Sequence, residues 1–156
     1  MTSDLSDLLS PDFILVDLAV SSKKALFHQL GQVAGPALAL DAATVSAALA
    51  ERERLGSTGF GGGVAIPHAR IAGVAQIVVM VARLAKPIDF AAVDDAPVDI
   101  VVAMFSPPDA GAEHLKALAR VSRRFRDREF VDKLRGAASR DAFYALLTAD
   151  ETRDAA

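Results

Sequence analysis

The chain has 156 residues, 52% of them apolar and 24% charged, which suits one globular domain with a single core and is too short for two well-stabilised ones. A net charge of −3 and an isoelectric point near 5.5 argue against nucleic acid as a default partner. There is no cysteine, which excludes disulfides, thiolate metal sites and cysteine nucleophiles.

The N-terminal stretch MTSDLSDLLSPDF carries acids ahead of any apolar run and lacks the basic and long apolar segments of a signal peptide. No apolar run approaches the roughly 20 residues of a membrane helix. A soluble, cytoplasmic protein is expected, with one domain over 1–156 and a frayed polar tail from about 149.

FILVDLAV, 13–20, is short and rich in branched aliphatics, which predicts a strand. Ser21 and Ser22 can cap a helix in which Leu26, Phe27, Leu30 and Val33 recur at helical spacing. Asp41 opens a second helix with Val45, Ala48, Leu49 and Leu55 on its apolar side, and Gly56 is a natural stop. After the loop GSTGFGGG come three Val/Ile-rich segments, 64–67, 75–84 and 97–105, predicted as strands, the last two buried on both faces. Asp109 can cap a helix running to about Arg126, with Leu115, Leu118, Val121, Ser122 and Phe125 on one side. Two shorter helical segments follow, 130–138 and 141–148. Helices at both ends with strands between predict a three-layer α/β domain.

The glycine run invites a nucleotide reading, which the order of elements opposes. A P-loop or a dinucleotide fingerprint places its glycines after a strand and before a helix; here a helix precedes and a strand follows, and no Lys-Ser/Thr pair closes the loop. The glycines fit turns of positive φ at a strand entry, and their lack of side chains also offers clearance to an approaching partner or anion. Ser57 and Thr58 add hydroxyls beside them.

Of the three histidines, His28 reads as a partly exposed helix residue. Pro67 holds Ile66 extended and leaves His68 at a strand end, where side chains emerge from a sheet. On position alone, structural and functional roles for His68 stand equally open. His114 lies in the first turn of its helix, at the flank of the apolar stripe. It is either a satisfied core histidine or a neutral imidazole facing an anion site at the helix N-terminus. Two imidazoles without a third ligand make a poor zinc site. With Arg52 and the Ser57–Thr58 hydroxyls they suit phosphate chemistry better. Between Glu113 and Arg140 lie nine basic residues against four acids. This predicts a solvated helix side or, as a second option, a docking surface for an acidic partner built on residues such as Arg123 and Arg124.

The stretch 52–59, RERLGSTG, followed by 63–70, GVAIPHAR, resembles the active-site signature of enzyme IIA proteins of the bacterial phosphotransferase system, in the fructose/mannitol/nitrogen-regulatory family. The likeness continues through Leu8–Asp12, Pro87–Phe90, Asp94–Asp99 and Glu113–Leu118, and so covers nearly the whole chain, to about Leu147. GSTG at 56–59, in a chain with no transporter domain attached, is most similar to the nitrogen-regulatory type. Ala69 and Arg70 depart from the glycine and lysine common there, without touching the nucleophile.

The resemblance implies a mixed sheet of about five strands flanked by helices. It makes His68 the phosphoryl acceptor, with the family's second histidine on His114 and its arginine on Arg52; the Ser57 and Thr58 hydroxyls and the N-terminus of the His114 helix are further expected contacts to phosphate. It implies an HPr-like phosphocarrier as donor and regulatory targets such as potassium-transport components; no metal or cofactor is expected, because the basic and N–H groups can meet the phosphoryl charge. The alternatives are a sugar-specific enzyme IIA serving a separate IIB, or a non-catalytic binding module. For His68 the expected nucleophile is Nε2, with Nδ1–H held by a nearby carbonyl.

Overall fold

The computed structural model describes residues 5–149, so the expected frayed tail lies almost wholly outside the described residues. In chain order a 3-10 turn, Pro11–Phe13, leads into β1 (Ile14–Leu18), followed by α1 (Lys23–Ala37) and α2 (Ala42–Arg54). Then come β2 (Gly59–Gly61), β3 (Val64–Ala65), β4 (His68–Arg70), β5 (Val78–Ile88) and β6 (Val98–Ser106). Three helices close the fold: α3 (Ala112–Phe125), α4 (Arg128–Gly136) and α5 (Arg140–Thr148). Among the described residues no helix is long and apolar enough to cross a membrane.

The expected α/β layers are present, with six strands among the described residues rather than about five. The strand order is β1-β5-β6-β3-β2, with β4 also paired to β6. The central β5–β6 pair is antiparallel, whereas β1 runs parallel to β5 and β3 and β4 run parallel to β6. One face of the sheet buries Phe27, Leu30, Val45, Leu49 and Phe105 under α1 and α2. The other buries Ile66, Val102, Met104, Val121, Phe125, Phe130 and Phe143 under α3, α4 and α5. Burial of this apolar area, at about 25 cal/mol per Å², is what holds a chain with no cross-links.

Local chemistry accounts for most helix starts. Ser22 accepts a hydrogen bond from Ala25 N, Asp41 from Ala43 N, Asp127 from Glu129 N, and Ser139 from Ala142 N. α3 is the exception. Its N-cap is Gly111 at φ 55, with no side-chain cap, and not Asp109. Pro107 to Ala110 form a turn of their own, closed by Ala110 N on Pro107 O at 3.1 Å, so the helix begins later.

The face that α3 buries also differs from the expected one. His114, Ala117, Val121, Arg124 and Phe125 point inward, while Leu115 is 63% exposed. The inward set keeps helical spacing but contains two charged or titratable residues, which an apolar pattern passes over. Arg124 lies 3.7 Å over the Phe130 ring, a cation–π contact that accommodates a buried guanidinium. It is therefore part of the core and not of a docking surface.

β3 and β4 are one line of backbone. Val64 pairs with Ile100 and His68 with Met104, so the register is unchanged across Ile66 and Pro67. The interruption is chemical: Pro67 has no N–H to give, while its carbonyl still accepts from Met104 N at 2.9 Å. Strand alternation then puts Val64, Ile66, His68 and Arg70 on the face covered by α3.

The glycine run is divided by the β2–β3 hairpin. Gly61, Gly62 and Gly63 have φ of 111°, 68° and 81° and make its turn, held by Asp94 on Gly62 N and by Arg135 on Gly62 O. The Gly63 carbonyl accepts from Asp99 N and Ile100 N. From Asp99 to Met104, the level of His68, the strand covers about 17 Å. These glycines are therefore a turn at the far end of the sheet and give no clearance at His68, contrary to expectation. Only Gly56 to Gly59 return to the His68 end, where Thr58 O accepts from Ile66 N at 3.0 Å.

Candidate active site

His68 is half-buried on β4, and both of its ring nitrogens have partners. Nδ1 lies 2.8 Å from the Ile66 carbonyl, which can only accept, so Nδ1 carries the proton. Nε2 is then the lone-pair nitrogen, and it accepts from Arg52 Nε at 3.3 Å. The backbone two residues back thus fixes the tautomer, and the unprotonated nitrogen faces a guanidinium. Burial pushes the His68 pKa below the ordinary 6.5, with Arg52 and Arg70 adding to the shift and the Ile66 bond and Glu53 opposing it. The ring is neutral at neutral pH.

Arg52 comes from the last turn of α2, which packs beside β4. Its Nη1 donates to Gly56 O at 3.1 Å, so the guanidinium is held between the loop and the imidazole. α2 reaches that position because α1 presents Gly31 and Gly35 to it: a Cβ on Gly31 would stand 2.6 Å from Ala42 O, and one on Gly35 2.9 Å from Ala42 N.

His114, in the first turn of α3, is 6% exposed and its ring centroid lies 5.7 Å from that of His68. Its Nδ1 is 2.8 Å from Ser106 Oγ at the end of β6, a bond that fixes the ring plane whichever atom carries the proton. Burial, then the charges of Arg70 and His68, lower its pKa below 6.5. His68, His114 and Arg52, from a strand, a helix start and a helix end, are therefore gathered in one place.

Ser57 and Thr58 border this cluster, but their hydroxyl protons are already donated. Ser57 Oγ donates to Phe90 O at 3.1 Å, and Thr58 Oγ1 donates to Glu53 Oε1 at 2.7 Å. Each hydroxyl has one proton. In this conformation they shape the loop and offer no donor to an anion. His28 is exposed on α1, outside the cluster.

Three residues of the site, Arg70, Glu53 and Ser106, are given no role by the sequence, although the first two lie inside its motifs. Arg70 stands two residues after His68 on the same strand face, a period-two signal visible in the sequence. Ser106 becomes relevant only through the β4–β6 pairing, and Glu53 only through the fold of the loop it holds. Among the described residues no cluster of three or more His, Cys, Asp or Glu has metal-site geometry.

Such a pair of imidazoles, one with a fixed lone pair and flanked by two guanidinium groups, is suited to accept an electrophilic group and to hold an anion beside it. The chain matches the family model described as phosphoenolpyruvate-dependent sugar phosphotransferase system, EIIA 2, over residues 7–150. It is 41% identical over 143 residues to a nitrogen regulatory protein of Bradyrhizobium diazoefficiens, covering 92% of this chain and 94% of that one. A nitrogen regulatory protein of Pseudomonas aeruginosa is 37% identical over 144 residues, covering 92% and 94%. The crystal structure of nitrogen regulatory protein IIA-Ntr from Neisseria meningitidis is similar with a TM-score of 0.87 and 36% identity, covering 92% of this chain and 99% of that one.

Proposed function

The chain belongs to the EIIA 2 family of the phosphoenolpyruvate-dependent sugar phosphotransferase system, and on that premise we propose that it is a phosphoryl-relay protein of the nitrogen branch. It takes a phosphoryl group onto His68 from an HPr-like phosphocarrier in the cytoplasm and signals by its phosphorylation state to regulatory targets, potassium-transport components among the candidates. Its nitrogen regulatory relatives support the nitrogen-branch assignment.

The observation that carries the chemistry is the fixed tautomer of His68, with Nδ1–H on Ile66 O and a lone pair on Nε2. In the transfer, Nε2 supplies an electron pair to phosphorus. The P–N bond of the donor phosphohistidine breaks, and its pair returns to the donor ring nitrogen. Nδ1 keeps its proton, and Ile66 O stabilises the positive charge that the ring gains. No base is required, because the lowered pKa keeps the acceptor neutral.

The Arg52 contact to Nε2 is long at 3.3 Å, so it is given up easily when phosphorus arrives. Arg52 then turns its N–H groups to the phosphoryl oxygens, joined by Arg70 and by the His114 ring. These groups meet the charge that metal ions meet in kinases. Ser57 and Thr58 act by holding the loop, since both hydroxyl protons are committed elsewhere.

The test is incubation with phosphoenolpyruvate, enzyme I and the phosphocarrier, followed by detection of acid-labile phosphate. Label on the wild type and none on His68→Ala is the expected result. Label on that variant would move the acceptor elsewhere, and an unlabelled wild type would leave a non-catalytic binding module.

A further inference from the structure

Behind Arg52 lies a buried carboxylate that the chemistry above does not use. The Glu53 side chain is 6% exposed. Its Oε2 accepts from Lys23 Nζ at 2.8 Å and from Thr58 N at 3.1 Å, and its Oε1 accepts from Thr58 Oγ1 at 2.7 Å. A carboxylate removed from water needs partners of this kind. Lys23 also lies 4.4 Å over the Phe90 ring, and the Phe90 carbonyl accepts from Ser57. The start of α1, the end of α2 and the loop 56–59 are thereby tied at one point.

We propose that Glu53 is a positioning residue for phosphoryl transfer, acting through Thr58 and the Gly56 carbonyl to set the Arg52 guanidinium against His68 Nε2. This rests on the assignment of His68 as acceptor. Arg52 and Glu53 are neighbours on the last turn of α2, and their side chains part: Glu53 takes the loop at Thr58, and Arg52 takes it at Gly56 O while reaching His68. If Glu53 releases Thr58, Gly56 O moves and the guanidinium loses its second anchor. Displacements of about 1 Å in such a constellation cost up to roughly a hundredfold in rate.

Glu53 also has an electrostatic effect, which the test must separate from placement. The charged and titratable groups around His68 are Arg52 and Glu53 from α2, Arg70 from β4 and His114 from α3, and Glu53 alone among them favours the protonated ring. Glu53→Asp keeps the charge but shortens the reach to Thr58. Glu53→Gln keeps the reach and removes the charge.

The experiment measures single-turnover transfer from the phosphorylated donor across donor concentrations, with the Arg52 Nε–H signal followed by NMR in the unphosphorylated protein. Positioning predicts that Glu53→Asp, with its shortened reach, lowers the maximal rate roughly ten- to a hundredfold, and that Glu53→Gln, which keeps the reach, is slowed less. The half-saturating donor concentration is unchanged, and Arg52 Nε–H loses its protection from solvent exchange. A wild-type rate in Glu53→Asp would reduce Glu53 to a charge effect, and wild-type rates in both with a lowered Tm would make it merely structural; either result overturns the proposal. Should the Glu53 variants not fold, Thr58→Val decides by the same two readouts: slowed transfer with a loosened Arg52 supports positioning, and no change in either overturns it. A wild type that takes no phosphate defeats the acceptor assignment alone, because the Arg52 signal still reports on the placement.

Discussion

Ser57 and Gly62 are close in sequence and belong to the same glycine-rich run, yet the hairpin sends them to opposite ends of the sheet. At the His68 end, Ser57 and Thr58 are held by Phe90 O and Glu53, and the Gly56 carbonyl takes Arg52. At the far end, Gly62 is held between Asp94 and Arg135, and Arg135 also binds Asp99 at 2.9 Å. One half is tied to titratable groups that face one another, and the other to ion pairs that close a turn. Composition therefore says little about what a glycine run does, and the difference lies in which strand level each half pairs with. Changes at the near end should alter transfer with little effect on stability, and changes at the far end should do the reverse.

The largest effect is expected at the near end, where His68→Ala abolishes labelling by the phosphorylated donor while far-UV CD and Tm stay near wild type. Next, Arg52→Ala and His114→Ala each slow transfer by about 10²-fold without abolishing it, as for removal of one preorganised group around a developing charge. Wild-type rates in either would remove that residue from the near-end machinery.

At the far end Arg135→Ala leaves Asp99 and the Gly62 carbonyl without their donor and lowers stability by about 1–2 kcal/mol, read by urea unfolding, with transfer unchanged. Gly62→Ala is subtler. A Cβ there meets nothing within 4 Å, so the cost is the positive φ of 68° alone, about 1 kcal/mol. A transfer defect in either variant would break the division between the two ends.

The smallest effect is on pH dependence. His68 and His114 have folded-state pKa values below 6.5, so between 6.5 and those lower midpoints the unfolded chain binds protons that the folded chain does not. Stability therefore falls as pH drops through that window, and below both folded midpoints these groups cause no further loss. Tm measured against pH for wild type and His114→Asn should show a shallower slope in the variant.

Legibility from sequence follows the same division. The caps at Ser22 and Asp41 are readable because a cap is a local hydrogen bond. β2 and β4 are not readable, being three residues long and existing only by pairing with partners. His68 and His114 stand out by residue type and position. The Ile66 carbonyl that fixes the His68 tautomer, the Ser106 hydroxyl that holds His114 and the Glu53 tie to Thr58 depend on how strands and loop meet. α3 misleads in a different way: its inward face includes His114 and Arg124, so an apolar count favours Leu115, which is exposed.

The acceptor nitrogen is tested most directly by phosphorylating ¹⁵N-labelled protein with the donor and locating the phosphorus by NMR of the histidine ring nitrogens. One phosphoryl group on Nε2 of His68 is expected, with Nδ1 still protonated and hydrogen-bonded. Phosphorus on Nδ1 of His68, or on His114 or His28, would contradict that assignment.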